Sequence, residues 1–338
     1  MTRIRRRSVL QAALAGTGFA VLGAPAADAR TGGPPPRDLS AETPLVVGTY
    51  NIRYASYDTD PAFPERMWSN RGIHAARSIA RAGAVLVALQ EVSYLNTADS
   101  QARSLAALLS DETGHAWQAL EASRMQAFVY DSTAVESLGP VSLRDLLVEH
   151  ARPDPPQRVV GWAPFRHLPS GLELTMVNSH LPIQDDSPPW GREMTWEAVA
   201  TLVDQLQILH ASTGNPVVLG ADFNDAQTGP YLLGQAGYAD PARLVPAPAH
   251  PRFNAFNNWD PLLVGRQRGI WIDRIAVSSE LTAVRAGLEV DFADGAGLPL
   301  RVPIGSDHFL MFAELVAAPA VSTGPGTTLP LTVPLSIG

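Results

Sequence analysis

A chain of 338 residues with 46% hydrophobic and 17% charged side chains can bury a sizeable core, which excludes general disorder. It has no cysteine, and all 25 of its basic residues are arginine. Disulfides, thiolate metal sites, a cysteine nucleophile, Schiff-base lysines and the P-loop lysine are therefore excluded together, and the formal charge is −8.

Residues 1–29 read as an export signal. Arg3, Arg5, Arg6 and Arg7 precede an apolar stretch from Val9 to Leu22, and Ala27-Asp28-Ala29 offers an A-x-A cleavage site. Arg6-Arg7-Ser8-Val9-Leu10 fits the twin-arginine pattern, with the Sec route as the alternative. The apolar run is shorter than the roughly 20 residues that span a bilayer, so the expectation is a secreted protein with no transmembrane segment in its mature form. Residues 1–29 hold four arginines and one aspartate, so the remainder has 21 basic and 32 acidic residues and a charge of −11. Such a chain repels nucleic acid and anionic membranes at long range.

Residues 30–44 read as a flexible spacer, 45–316 as one catalytic domain, and 317–338 as an uncharged tail rich in proline and threonine. Short apolar runs predict strands at 45–50, 85–90, 126–130, 158–162, 172–179, 216–221, 270–277 and 309–316. Helical spacing appears at 71–82, 100–110 and 192–210. In the last of these Trp196, Val199, Val203 and Leu206 share a face, with Leu202 and Leu209 beside it. Proline-rich loops fall at 153–156, 186–189 and 246–251.

The predicted strands end alike. Their ends carry Asn51 and Arg53, Glu91, Asn178 and His180, Asp222 and Asn224, Asp273, and Asp307 with His308. Taken singly, a strand-end aspartate is an ordinary turn former, a lone histidine an ordinary structural residue, and Arg53 the partner of a nearby acid. Six segments ending in the same class of side chain point instead to one cleft. Glu91 and Asp307 offer hard oxygen ligands suited to Mg²⁺, Mn²⁺ or Ca²⁺. Asp222 is suited to orient and deprotonate a water, His180 and His308 to donate to phosphate oxygens, and Asp273 to orient one of the histidines. Asn51, Arg53, Asn178 and Asn224 add polar contacts for a substrate. The set matches phosphoryl transfer to water.

In this order the motifs resemble the endonuclease/exonuclease/phosphatase superfamily. Its members include deoxyribonuclease-type nucleases, abasic-site endonucleases, inositol polyphosphate phosphatases and bacterial sphingomyelinases. The resemblance rests on Thr49-Tyr50-Asn51-Ile52-Arg53-Tyr54, Trp68 to Arg71, Leu89-Gln90-Glu91-Val92, Asn178-Ser179-His180-Leu181, Gly220-Ala221-Asp222-Phe223-Asn224, Ile272-Asp273 and Ser306-Asp307-His308. It implies an α/β fold, a four-layered α/β/β/α sandwich of two packed mixed sheets. It also implies Glu91 as the main metal ligand, with Asn51 close by and Asp307 on the metal side. Asp222 would position the water, Asn224 the phosphate, and His180 would stabilise the phosphorane or protonate the leaving group. His308, paired with Asp273, would serve the opposite side. Two departures stand out. Ala221 interrupts the G-D-F-N motif, and the carboxylate that often orients the first histidine is replaced by Arg124-Met125-Gln126, with only Glu121 upstream.

The expected activity is metal-dependent hydrolysis of a phosphodiester or phosphomonoester. Nucleic acid and phospholipid headgroups are alternative substrates, and a non-catalytic binding protein or a glycosidase is the outside class. The loop with Arg252, Phe253, Phe256, Trp259, Arg266 and Arg268 could hold a base or a headgroup. The expected partner is the phosphoester itself, with no stable nucleic-acid partner, and the expected state is monomeric.

Overall fold

Strand β1 (Leu45–Asn51) is apolar on both faces because it is covered on both. It runs in a six-stranded sheet with β2 (Leu86–Gln90), β3 (Trp117–Ala122), β4 (Gln126–Asp131), β11 (Leu281–Glu289) and β12 (Leu310–Ala317), in the order β11-β12-β1-β2-β4-β3. A second sheet has the order β10-β9-β8-β7-β5, where β10 is Asp273–Val277, β9 Val217–Asp222, β8 Glu173–His180, β7 Val159–His167 and β5 Val135–Ser137; β6 (Ser142–Asp145) also pairs with β7. The computed structural model describes residues 43–96, 99–122, 125–147, 158–183, 190–295 and 297–318. The predicted leader, most of the spacer, nearly all of the tail, Arg124 and the loops at 153–156 and 186–189 lie outside the described residues.

The inner faces of the two sheets share one core, in which Val47, Ala88, Phe128, Phe165, Met176 and Val218 are buried. Helices α1 (Trp68–Ala82) and α2 (Gln101–Thr113) cover the outer face of the first sheet through Ile79, Leu105 and Leu109. Helices α3 (Trp190–Thr213) and α4 (Thr228–Gln235) cover the second. The result is the expected α/β/β/α sandwich. Gly220 lets the sheets approach: a Cβ there would stand 2.9 Å from Thr49 Cβ and 3.1 Å from Ala88 Cβ, both rigid neighbours. Ala221, the interruption in the motif, packs into the opposite core under α3 and disturbs nothing.

Three details differ from the sequence reading. The stripe of α3 that faces the sheet is Val199, Leu202, Leu206 and Leu209, while Trp196 is 50% exposed. At 100° per residue Trp196 lies about 100° from the centre of that stripe, too far round to bury. The last predicted strand of the second sheet begins at Asp273 rather than 270. Residues 270–272 follow the left-handed Gly269 and bond instead to the preceding loop and to Phe223. Strands β3, β5, β6 and β11, with helices α4 and α5 (Pro241–Leu244), lie outside the predicted elements. Among the described residues no helix is long and apolar enough to cross a membrane.

Candidate active site

Each sheet repeats one pattern, a parallel pair flanked by antiparallel strands. β1 and β2 are parallel, with β12 antiparallel to β1; β8 and β9 are parallel, with β10 antiparallel to β9. The carboxyl ends of the parallel pairs therefore lie beside the amino ends of β12 and β10. This is why Asn51, Glu91, His180 and Asp222 follow their strands while Asp273 opens one and Asp307-His308 precede another. Register makes the point directly, since Asp273 pairs with Asp222 and His180 pairs with Asp222 on the other side.

Asn51 bridges the two sheets. Its Nδ2 donates to Glu91 Oε1 at 2.9 Å and to Asp222 Oδ2 at 3.0 Å. Its Oδ1 accepts the Arg53 backbone N–H at 3.0 Å, which fixes which end of the amide faces the carboxylates. The resemblance places Asn51 on the metal side, close to Glu91. Here its nitrogen, which cannot ligate, faces the acids, so Asn51 acts as a bracket. Glu91 (φ 56°), Arg53 (φ 55°) and Asn224 (φ 50°) all take the left-handed conformation just after their strands. Strain of this kind persists only where surrounding bonds over-determine the backbone.

The two histidines are set in opposite states. His308 Nδ1 is 2.8 Å from Asp273 Oδ2, the pairing the sequence suggested. Burial opposes charge on the ring, but Asp273, reinforced by Asp222 and Asp307, outweighs it and lifts the pKa to about 10. Its Nε2 stands 3.9 Å from Asp222 Oδ2, beyond hydrogen-bond reach, so a proton there remains available in the cavity. His180 is pushed by burial to about 3, with Asp222 opposing and Arg158 adding to the effect. Asn224 Nδ2 donates to Leu181 O at 2.9 Å and lies 3.0 Å from His180 Nε2. That nitrogen is therefore an acceptor, and both Asn224 amide protons are spent. Asn224 orients His180 here instead of facing a phosphate. Glu121, the carboxylate upstream of β4, pairs with Arg103 and Ser100 and takes no part.

Asn178 is also placed differently from expectation. It is fully buried, donates to Leu89 O and Ala127 O at 2.8 and 3.0 Å, and accepts from Gln90 Nε2 at 2.8 Å. It ties the sheets together one layer beneath the site and does not reach a substrate. Arg71, the last residue of the Trp68-to-Arg71 motif, is a structural tie. Every one of its donors is used, on the carbonyls of Arg66, Ile52, Gly305 and Arg53 and on Asp58 Oδ2. Ser306 Oγ adds a bond to Asn51 O at 2.6 Å, so the Asn51 and Asp307 segments form one rigid rim.

These groups line a cavity of about 380 Å³. Its floor carries Glu91, Asp222, Asp307 and the two histidines, and its walls carry Tyr54, Tyr57, Met125, Ile183 and Phe256, with Arg53 and Arg158 among them. Phe256 packs on His308 with ring centroids 5.1 Å apart, and Arg266 stacks on Phe256 at 4.8 Å. From the same loop, Phe253 is core and Trp259 lines a different cleft.

Does the donor set fit a divalent cation? Burial raises the Glu91 carboxyl above its ordinary range, and the charge of Asp307 adds to that. A hard cation beside these two oxygen donors offsets both the burial and the repulsion, which is the fit expected for Mg²⁺ or Mn²⁺. Asp222, Asp273 and His308 also bring one atom each within 4.8 Å of one another. With Nδ1 bonded to Asp273, His308 turns its Nε2 toward this trio, which offers a second group of donors beside Glu91 and Asp307.

The chain belongs to the Endonuclease/Exonuclease/phosphatase family, whose model matches residues 48–308. It is accordingly a phosphoric ester hydrolase of a divalent-metal-dependent family. No curated protein matches the sequence. Among solved structures, a family member from Bacteroides thetaiotaomicron is similar at TM-score 0.62 and 20% identity, over 81% of this chain and 98% of that one. A mannosyl-6-phosphatase of Bacteroides thetaiotaomicron VPI-5482 is similar at TM-score 0.59 and 18% identity, over 80% and 99%. D. rerio TDP2 complexed with a single-strand DNA product is similar at 0.54 and 16%, over 81% and 99%. At these identities the likeness is one of fold.

Proposed function

We propose that this chain is an exported, divalent-metal-dependent phosphoesterase that hydrolyses a small soluble phosphoester by attack of a water held at Asp222. The observation that carries the reading is the position of Asp222. Asn51 ties it to Glu91, His180 lies 3.6 Å away and His308 3.9 Å away, all at the floor of one cavity. A divalent cation held by Glu91 and Asp307 would supply charge neutralisation at a phosphate oxygen. Asp222, fixed by Asn51 and by the Asn224 backbone N–H at 2.8 Å, accepts the proton of the attacking water. His308, kept cationic by Asp273, donates from Nε2 to the oxygen on which charge builds. Neutral His180 keeps the Asp222 side polar without adding a competing positive charge.

Substrate size follows from the cavity, which falls at the lower end of the volumes typical of small-molecule sites. The charge of the chain without its leader points the same way, away from long polyanions. A solved relative of the same fold that acts as a mannosyl-6-phosphatase makes a sugar phosphate a natural candidate. The second reading is the end of a single strand of nucleic acid. Phe256 with Arg266 stacked on it offers a base-stacking face, and the DNA-bound relative supports it. Export rests on the leader pattern of residues 1–29. Hydrolysis of p-nitrophenyl phosphate and bis-(p-nitrophenyl) phosphate beside plasmid DNA, RNA and sphingomyelin, in Mg²⁺ and in EDTA, tests the function. Turnover of a chromogenic ester that EDTA abolishes supports the reading, and chelator-insensitive turnover contradicts it.

A further inference from the structure

Arg53 is held with unusual care for a residue whose side chain makes no hydrogen bond. Its backbone N–H donates to Asn51 Oδ1, and its carbonyl accepts from Arg71 Nη2 at 2.8 Å and from Gln101 Nε2 at 2.9 Å. Three bonds thus pin a non-glycine residue at φ 55°, a conformation that costs energy unless something else fixes it. What this arrangement delivers is a guanidinium on the cavity wall, 33% exposed and beside Tyr57 at 5.3 Å.

That guanidinium makes two long ion pairs and no side-chain hydrogen bond. Its Nε is buried without a partner, and its nearest carboxylate oxygens are Asp307 Oδ2 at 3.7 Å and Asp58 Oδ1 at 3.9 Å, both beyond hydrogen-bond distance. Asp58 already pairs with Arg71 through its other oxygen at 3.2 Å. A planar fork of donors matches the oxygens of a phosphoryl group, and a buried donor with no partner is costly until something binds it.

We propose that Arg53 holds the additional anionic oxygen of a terminal phosphate, so that the site prefers phosphomonoester dianions over phosphodiesters. The inference rests on the functional reading above and narrows its substrate class. A diester presents two non-bridging oxygens and one negative charge. Those two oxygens would fall to the Glu91–Asp307 side and to His308, which line the same cavity. A monoester above its second pKa of about 6 presents a third oxygen and a second charge, and Arg53 has the free donors for it. The lateral wall position suits an arginine and not a lysine, because the contact is made by a flat fork.

Calorimetric titration with inorganic phosphate and with dimethyl phosphate, in Mg²⁺ at pH 8, separates the two charges without requiring turnover. Arg53→Met is expected to weaken phosphate binding about 10–100-fold, the range of one or two charge-assisted hydrogen bonds, and to weaken dimethyl phosphate at least tenfold less. Arg53→Lys should restore part of the phosphate affinity and little of the preference. Equal weakening of both ligands, or none, overturns the assignment. Wild-type protein that prefers phosphate through Arg53 yet hydrolyses no ester would instead overturn the functional reading and leave this one standing.

Discussion

Asp222→Asn is expected to lower kcat about 10²–10⁴-fold, the usual contribution of a positioned general base, on any ester the wild type hydrolyses. The reason lies in what the substitution keeps. Asparagine has the same shape, so Oδ1 can still accept the Asn224 N–H, and the strand register with Asp273 and His180 is unchanged. It loses the anionic oxygen that both histidines face and that accepts from Asn51 at 3.0 Å, and it sets an amide N–H against the Asn51 donor, so the Asn51 bond is lost as well. The loss therefore falls on proton removal from water, with KM changed little. Steady-state kinetics on protein whose circular dichroism matches the wild type checks it. A variant within tenfold of wild-type kcat would remove Asp222 from the chemistry.

The second large effect is on stability. Arg71→Met is expected to destabilise the fold by about 3–5 kcal/mol, the range seen when one partner of a buried charged network is deleted. Arg71 is 0% exposed and satisfies four backbone carbonyls from three separate segments as well as Asp58. Methionine fills much of the volume but leaves every one of those acceptors without a donor. Asp58, whose carboxyl burial already raises and Arg71 lowers, would be left to Arg53 alone at 3.9 Å. At roughly 2–4 °C per kcal/mol for a domain of this size, the midpoint should fall by about 6–20 °C. Scanning calorimetry reads this directly, and a fall of under 2 °C would show that the network is not a tie between the segments.

Much of the architecture was legible because of how it is covered. Strands buried on both faces read as unbroken apolar runs, so β1, β2, β4, β8 and β9 declare themselves. Edge strands do not. The sequence Trp117–Ala122 in β3 is largely half-exposed, β5 has three residues, and β11 carries an irregularity between Ala283 and Arg285. The convergence of the site was legible for a similar reason, since polar residues clustered where apolar runs stop. What the sequence could not convey was which atoms of those residues face one another. The Asn51 amide is turned by a backbone N–H two residues on, and Asn224 is turned by Leu181 O. Asn178 shares the strand-end signature of His180 yet sits one pleat deeper, where its polar atoms meet the other sheet. The hydrophobic walls come from Tyr54, Met125, Ile183 and Phe256, which lie on loops where periodicity carries no information.

In the proposed mechanism, phosphoester hydrolysis depends on a cation held at Glu91 beside Asp222. Protein stripped with EDTA and desalted can be titrated with Mg²⁺ while p-nitrophenyl phosphate hydrolysis is followed, for the wild type and for Glu91→Gln. Stripped protein should show no measurable rate, wild type should recover fully on adding Mg²⁺, and Glu91→Gln should recover only at Mg²⁺ at least tenfold higher, or not at all. A stripped wild type that keeps its rate, or a Glu91→Gln variant with the wild-type Mg²⁺ curve, would contradict it.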